Sequence, residues 1–441
     1  MPVDPDLAAR LGQLADRRLA VADRQLADGY PGDRGGRQPV HTVYLPADRV
    51  DATTIEQWRD RALAALAAYD DDPAGLADLI GEPAEVMDFL LPRVRDKLRR
   101  EPIEDLRIDF EDGLGKPDGL IEDLLAEAAA RLAGDWAASG STSSSVAAPG
   151  SSGIRFKSLE RPTRRRGLRT LAAFVDGLAG QVEGSAGRGF EVWPVLTLPK
   201  VTSVDQVAAM VEICRGLEQH HGLAERTLEF ELQIETTQAI IDSAGQIQVA
   251  PMIQAADRRC RGLHYGTYDY SAACGIAAEY QSMEHPAADF AKTVMQAAAA
   301  GTGVRLSDGS NNLLPVGDAD QVRTAWALQA RLVRRSLARG IYQGWDLHPA
   351  QLPIRFLVTY AFYRRGFEAA AARLSGYLAA QSDGDYLDEP ATASALAGFV
   401  LRGLECGALE RDEVESSTGA DVELLAALAR PRRGEPGGAP G

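Results

Sequence analysis

Two carboxylates, Glu235 and Asp269, each stand where an apolar run of β-strand character gives out. Glu235 follows the alternating Phe230, Leu232 and Ile234 in LEFELQIETTQAI; Asp269 comes just after the short run GLHYG in RGLHYGTYDYSAACG. Acids at the ends of two successive strands suggest a shared hard-cation site, because such a cation takes oxygen ligands and leaves positions open for water and substrate. In a barrel of parallel strands the strand ends gather on one face, where chemistry is done. The competing reading is a pair of strand-end acids capping the helices that follow.

The elements that would position these residues are legible as an alternation. Short strand candidates occur at 41–46, 106–110, 153–157, 194–199, 230–234, 262–266, 303–307 and 340–346, and long amphipathic helical segments such as 55–69 and 204–219 separate most of them. Eight strands alternating with helices predict an α/β chain folded as a (β/α)8 TIM barrel over residues 40–352. An open doubly wound sheet is the alternative, but no GxGxxG follows the first strand. Residues 1–39 form an N-terminal helical extension, with a helix from Leu7 to Leu26 and a Gly/Asp/Arg-rich connection after it. The Ser/Gly/Ala-rich stretch 137–153 reads as a flexible insertion, residues 353–429 as a C-terminal helical cap, and 430–441 as a disordered tail.

Composition bounds the partners. With 47 Lys+Arg against 63 Asp+Glu the net charge is −16, which argues against non-specific nucleic-acid binding. No basic-then-apolar leader and no run of about 18 apolar residues is present, so no membrane association is expected and the location expected is cytoplasmic. The four cysteines form no CxxC pair and read as buried thiols in a reducing compartment.

Six segments carry a resemblance. DFEDGLG (109–115) resembles the "DLEDgV" strand end of the HpcH/HpaI aldolase and citrate lyase β-subunit-like superfamily, and GIRFK (153–157) its "vRvN" strand. LTLPKV (196–201), IETTQAI (234–240), YGTYDYSAACG (265–275) and GIYQGWDLHPAQL (340–352) are similar, in family order, to its "mlPKv", "iETa.gi", "fGt.Dl...lG" and "Gf.Gk..iHP.Qi" elements. Two departures stand against these matches: Lys157 takes the place of the Asn, and the interval from Glu235 to Asp269 is longer than in the family, with AGQIQVAPMIQAADR supplying the excess. The likeness is therefore to the superfamily rather than to a standard citrate-lyase subunit.

The resemblance implies a phosphoenolpyruvate/pyruvate-type TIM barrel and a divalent-metal-dependent carbon–carbon lyase, of aldolase or acyl-CoA lyase type. Glu235 and Asp269 would hold Mg2+ (or Mn2+), and a small-molecule substrate, a 2-oxo acid or a coenzyme A thioester, would chelate its open positions. Arg155 would grip the substrate's carboxylate or carbonyl oxygen, with Gly266 and Thr267 beside it. Asp109, Glu111 and Asp112 would support Arg155 or metal-bound water, and Asp388, in YLDEPATASALAG, would move the proton. A homo-oligomer is implied as well. Lys200 could serve as a Schiff-base nucleophile but reads better as a structural lysine. The five arginines of RPTRRRGLRT (161–170) could bind coenzyme A phosphates or be solvated, while His41 and His348 read as core and turn residues. A malate-synthase-like condensing enzyme and a non-catalytic barrel acting as a binding protein are the alternatives.

Overall fold

The computed structural model describes residues 5–69, 71–115, 117–138, 146–184, 190, 192–383 and 390–430. Eight parallel strands close into a barrel, each hydrogen-bonded to its neighbours in sequence and the first to the last. They are β1 (His41–Pro46), β2 (Asp105–Asp109), β3 (Ser151–Arg155), β4 (Val195–Leu198), β5 (Phe230–Ile234), β6 (Cys260–Tyr265), β7 (Arg305–Ser310) and β8 (Gln343–Asp346). The (β/α)8 architecture expected from the sequence is the one observed.

The two-residue period of the strands sets what faces where. Leu106, Ile108, Leu196, Leu198, Phe230, Leu232 and Ile234 are fully buried and belong to the apolar core between strands and helices. The alternate residues point into the lumen, since they meet partners on strands that are not neighbours. Arg107 of β2 donates to Thr197 Oγ1 of β4 (3.2 Å) and to Glu231 Oε1 of β5 (2.9 Å), and Tyr44 of β1 lies 3.3 Å from His264 Nδ1 of β6. Branched apolar layers usually fill such barrels; here the lumen is filled with paired polar and charged side chains.

The N-terminal helix Pro5–Gly29 leads into a strap across the mouth at the strands' N-terminal ends. Arg305 fixes the strap by donating to the carbonyls of Gly35 (2.9 Å), Gly36 (2.6 Å) and Arg37 (2.7 Å). After β8, the helices Leu352–Asp383, Pro390–Glu405, Arg411–Thr418 and Val422–Ala429 build a second apolar cluster around Leu374, Val400, Val414 and Leu425. At the edges of the stretch 137–153 the helix Gly119–Ala138 takes the first two residues and β3 begins at Ser151, while 139–145 lie outside the described residues, as do 431–441. The long interval between Glu235 and Asp269 folds into a turn closed by an Ile241–Ile247 bridge and the crossover helix Val249–Ala255. Among the described residues no helix is long and apolar enough to cross a membrane.

Candidate active site

The C-terminal ends of β2 to β6 bring most of the expected residues together. Asp109 ends β2, and its carboxylate accepts both arms of the Arg155 guanidinium from β3, Nε at 2.7 Å and Nη2 at 2.6 Å. The same carboxylate accepts the backbone N–H groups of Glu111 (3.0 Å) and Gly113 (3.1 Å), which pins the DFEDG turn against the strand end. Burial works against the charge on Asp109, yet Arg155 and these hydrogen bonds hold it below the usual carboxylate range. A forked pair of this kind fixes the plane of the guanidinium. Its third nitrogen, Nη1, is left facing Gln233 Oε1 (3.3 Å) and Glu111 Oε2 (3.6 Å). The rings of Tyr44 and Trp345 flank it, with centroids 5.0 and 5.5 Å from the guanidinium carbon.

Glu235 follows β5 and is 3% exposed. Its Oε1 accepts the backbone N–H of Lys200 at 2.8 Å. Burial pushes the carboxyl up to about 7, against the pull of Lys200 and Arg155. Burial also raises Glu111, with Arg155 opposing, and the buried Glu111 Oε2 has no hydrogen-bond partner. The end of β6 passes Glu235 so closely that a side chain at Gly266 would bring its Cβ within 2.3 Å of Glu235 Oε2. Glycine is required there by contact, not by dihedral angle. Thr267 is buried with its hydroxyl unpartnered, and Asp269, 45% exposed in its side chain, follows in the first turn of the helix Thr267–Ala273.

Lys200 ties these pieces to one another. Its ammonium lies 2.9 Å from Glu111 Oε1, 3.0 Å from Asp112 Oδ2 and 2.9 Å from Asp269 Oδ2. Burial disfavours its charge, but Glu235 and Glu111 outweigh that and hold the ammonium protonated far above its ordinary range. A Schiff-base nucleophile must be a free amine, so that role does not suit Lys200. The reading as a merely structural lysine is also too weak, because the residue sits inside the cluster.

The donor set fits a hard divalent cation. Five carboxylates, Asp109, Glu111, Asp112, Glu235 and Asp269, converge on two cations, Arg155 and Lys200. Burial raises two of the five, as expected where carboxylate charge exceeds its compensation. Among the described residues no three His, Cys, Asp or Glu side chains close into a ready-made cage. Two protein carboxylates with open positions are what Mg2+ accepts.

Asp388 lies outside the described residues. The arginine-rich segment is largely spoken for: Arg166 pairs with Glu122, Arg169 with Asp123 (2.8 Å), and Arg164 donates to the Leu159 carbonyl (2.9 Å). His41 is buried against Asp346 (3.2 Å), and His348 caps a turn by accepting from Ala350 N (3.2 Å). A cavity of about 590 Å3 lies at the opposite end of the barrel, lined by Trp136, Ser151 and Pro194 among others, and includes none of these site residues. Sequence reasoning passed over Gln233, Tyr44 and Trp345. The signal was present, since Glu231, Gln233 and Glu235 alternate along β5 and so share its inner face.

Fold and site thus define a closed (β/α)8 barrel with an acidic mouth at the C-terminal ends of its strands. The chain belongs to the family described as a domain of unknown function (DUF6986), which it matches over residues 19–433. No curated protein matches it in sequence. Among solved structures it is similar to a citrate lyase from Burkholderia xenovorans LB400, at 17% identity and a TM-score of 0.52 over 89% of this chain and 99% of that one. Two more are the Haloferax volcanii malate synthase in its magnesium/glyoxylate complex (17%, TM-score 0.47, 89% and 99%) and an HpcH/HpaI aldolase/citrate lyase family protein from Burkholderia cenocepacia J2315 (14%, TM-score 0.38, 75% and 96%). The citrate lyase and the HpcH/HpaI protein carry the names of the superfamily that the motifs resemble. At such identities the likeness is one of fold.

Proposed function

We propose that this protein is a divalent-metal-dependent carbon–carbon lyase acting on a 2-oxo acid or a hydroxyacyl coenzyme A thioester. The observation that carries the reading is the convergence of Glu235 and Asp269 on Lys200, beside the buried guanidinium of Arg155. Glu235 and Asp269 would hold Mg2+ or Mn2+, which supplies Lewis-acid stabilisation of an enolate oxygen when bound. Arg155 presents Nη1 to the substrate's carboxylate or carbonyl oxygen, and Asp109 fixes its orientation from behind. Glu111 and Asp112 hold Lys200, and Asp109 holds the turn that carries them. Asp388 is assigned the proton transfer on the resemblance of its segment alone.

The test is a screen of 2-oxo acids and hydroxyacyl-CoA thioesters with Mg2+ present and products identified. Turnover should vanish with EDTA, and also in the variants Glu235→Gln and Asp269→Asn. Full activity in EDTA would sink the mechanism. Glyoxylate with acetyl-CoA belongs in the screen, because product from that pair alone would make the enzyme a condensing one.

A further inference from the structure

Lys200 holds both proposed metal ligands at once. Its backbone N–H bonds Glu235 Oε1 and its ammonium bonds Asp269 Oδ2. To do so it adopts a left-handed backbone, φ +51°, which residues with a side chain seldom take. An ammonium 2.9 Å from Asp269 Oδ2 repels a divalent ion bound to the same oxygen at about 2 Å, since two positive centres would then share one carboxylate oxygen. The ammonium does have somewhere to go: Glu111 Oε1 and Asp112 Oδ2 already accept it.

We propose that Lys200 is a tethered stand-in cation, whose ammonium occupies Asp269 in the metal-free protein and is displaced onto Glu111 and Asp112 when a divalent ion loads. This rests on the reading that Glu235 and Asp269 hold the metal. Its consequence is that metal affinity is set by competition with a side chain of the protein itself. The acidic turn after β2 is tied to Asp269 only until the metal arrives.

Two measurements on the full-length, EDTA-stripped protein test it. Calorimetric titration with Mg2+ should give a Kd about tenfold tighter for Lys200→Met than for the wild type, the worth of one charge-assisted hydrogen bond removed from competition. A stationary Lys200 would also weaken Mg2+ binding through its charge, so the second measurement follows its movement. Acetic anhydride labelling of Lys200, quantified by peptide mass spectrometry in the wild type, should be slow without Mg2+ and rise several-fold with it. In Asp269→Asn labelling should be fast and indifferent to Mg2+. Unchanged or weaker Mg2+ affinity in Lys200→Met, or wild-type labelling that Mg2+ does not raise, overturns the inference and leaves the metal site standing. Mg2+ binding to neither protein overturns both. The labelling arm needs no variant to fold.

Discussion

Replacing Glu235 by Gln should stabilise the metal-free protein at alkaline pH while abolishing its metal binding. In the unfolded chain this carboxyl titrates near its ordinary 4.5; in the barrel burial lifts it to about 7. Between those values the folded state binds the proton more tightly than the unfolded one, so stability falls as pH rises through the interval. Below about 4.5 both states are protonated and the residue contributes nothing; above about 7 the full penalty is present. At 1.36 kcal/mol per tenfold change in proton affinity, the move is worth at most about 3 kcal/mol. Gln keeps the oxygen that accepts from Lys200 N–H and carries no charge to bury. Urea unfolding in EDTA should therefore find the variant and the wild type equal at about pH 4.5 and the variant more stable, by up to about 3 kcal/mol, at about pH 8. Saturating Mg2+ should raise the stability of the wild type alone. A variant less stable than wild type at about pH 8, or a difference that does not change with pH, would refute the argument.

Arg107 is fully buried with Asp105 and Glu231 as its partners, so Arg107→Met strands two carboxylates in the lumen; chemical denaturation should show a loss of about 3–5 kcal/mol, and a loss within error would mean the network is not what holds the lumen. Gly266→Ala drives a Cβ into Glu235, and calorimetry should find Mg2+ binding lost while circular dichroism reports the fold retained. Arg155→Lys gives up the fork on Asp109 and cannot also present a free nitrogen, so kcat/KM should fall about 100-fold or more, roughly 3 kcal/mol of transition-state stabilisation; a tenfold smaller effect would argue that Arg155 acts only as bulk positive charge.

The barrel was legible where apolar alternation runs to the strand's end. β1 and β5 fall where HTVYLP and FELQI place them, because Val43 and Leu45 mark one face of the first and Phe230, Leu232 and Ile234 one face of the second. β7 was expected at 303–307 but extends through the polar Asp308, Gly309 and Ser310. What holds that end in the sheet comes from outside it: Asp308 accepts from Lys292 (2.9 and 3.0 Å) on one crossover helix and Ser336 (2.6 Å) on the next. No local pattern announces such a clamp. The position of Lys200 was illegible for the same reason, since its acids come from the ends of β2 and β6, far away in sequence. Glu235 and Asp269 could be read because each sits beside its own strand end.

Along β5, two glutamates four residues apart are driven in opposite directions. Burial opposes the charge on both. Glu231, deep in the lumen, is nevertheless held far below the usual carboxylate range by Arg107 and His264, while Glu235, at the mouth, is pushed up to about 7. The difference is not depth, since both are almost wholly buried. It is the ratio of cations to anions in each layer. Around Glu231 the charges interleave: Arg107 bonds Asp105 and Glu231, His264 bonds Glu231 (3.3 Å), and Thr42 closes the layer on Asp105 (2.7 Å). Around Glu235, Lys200 and Arg155 must serve Asp109, Glu111, Asp112 and Asp269 as well. A fold that balances its buried charges through the lumen and leaves them unbalanced at the mouth concentrates excess negative charge there, where the proposed divalent cation would bind and where strand-end side chains can also reach a substrate.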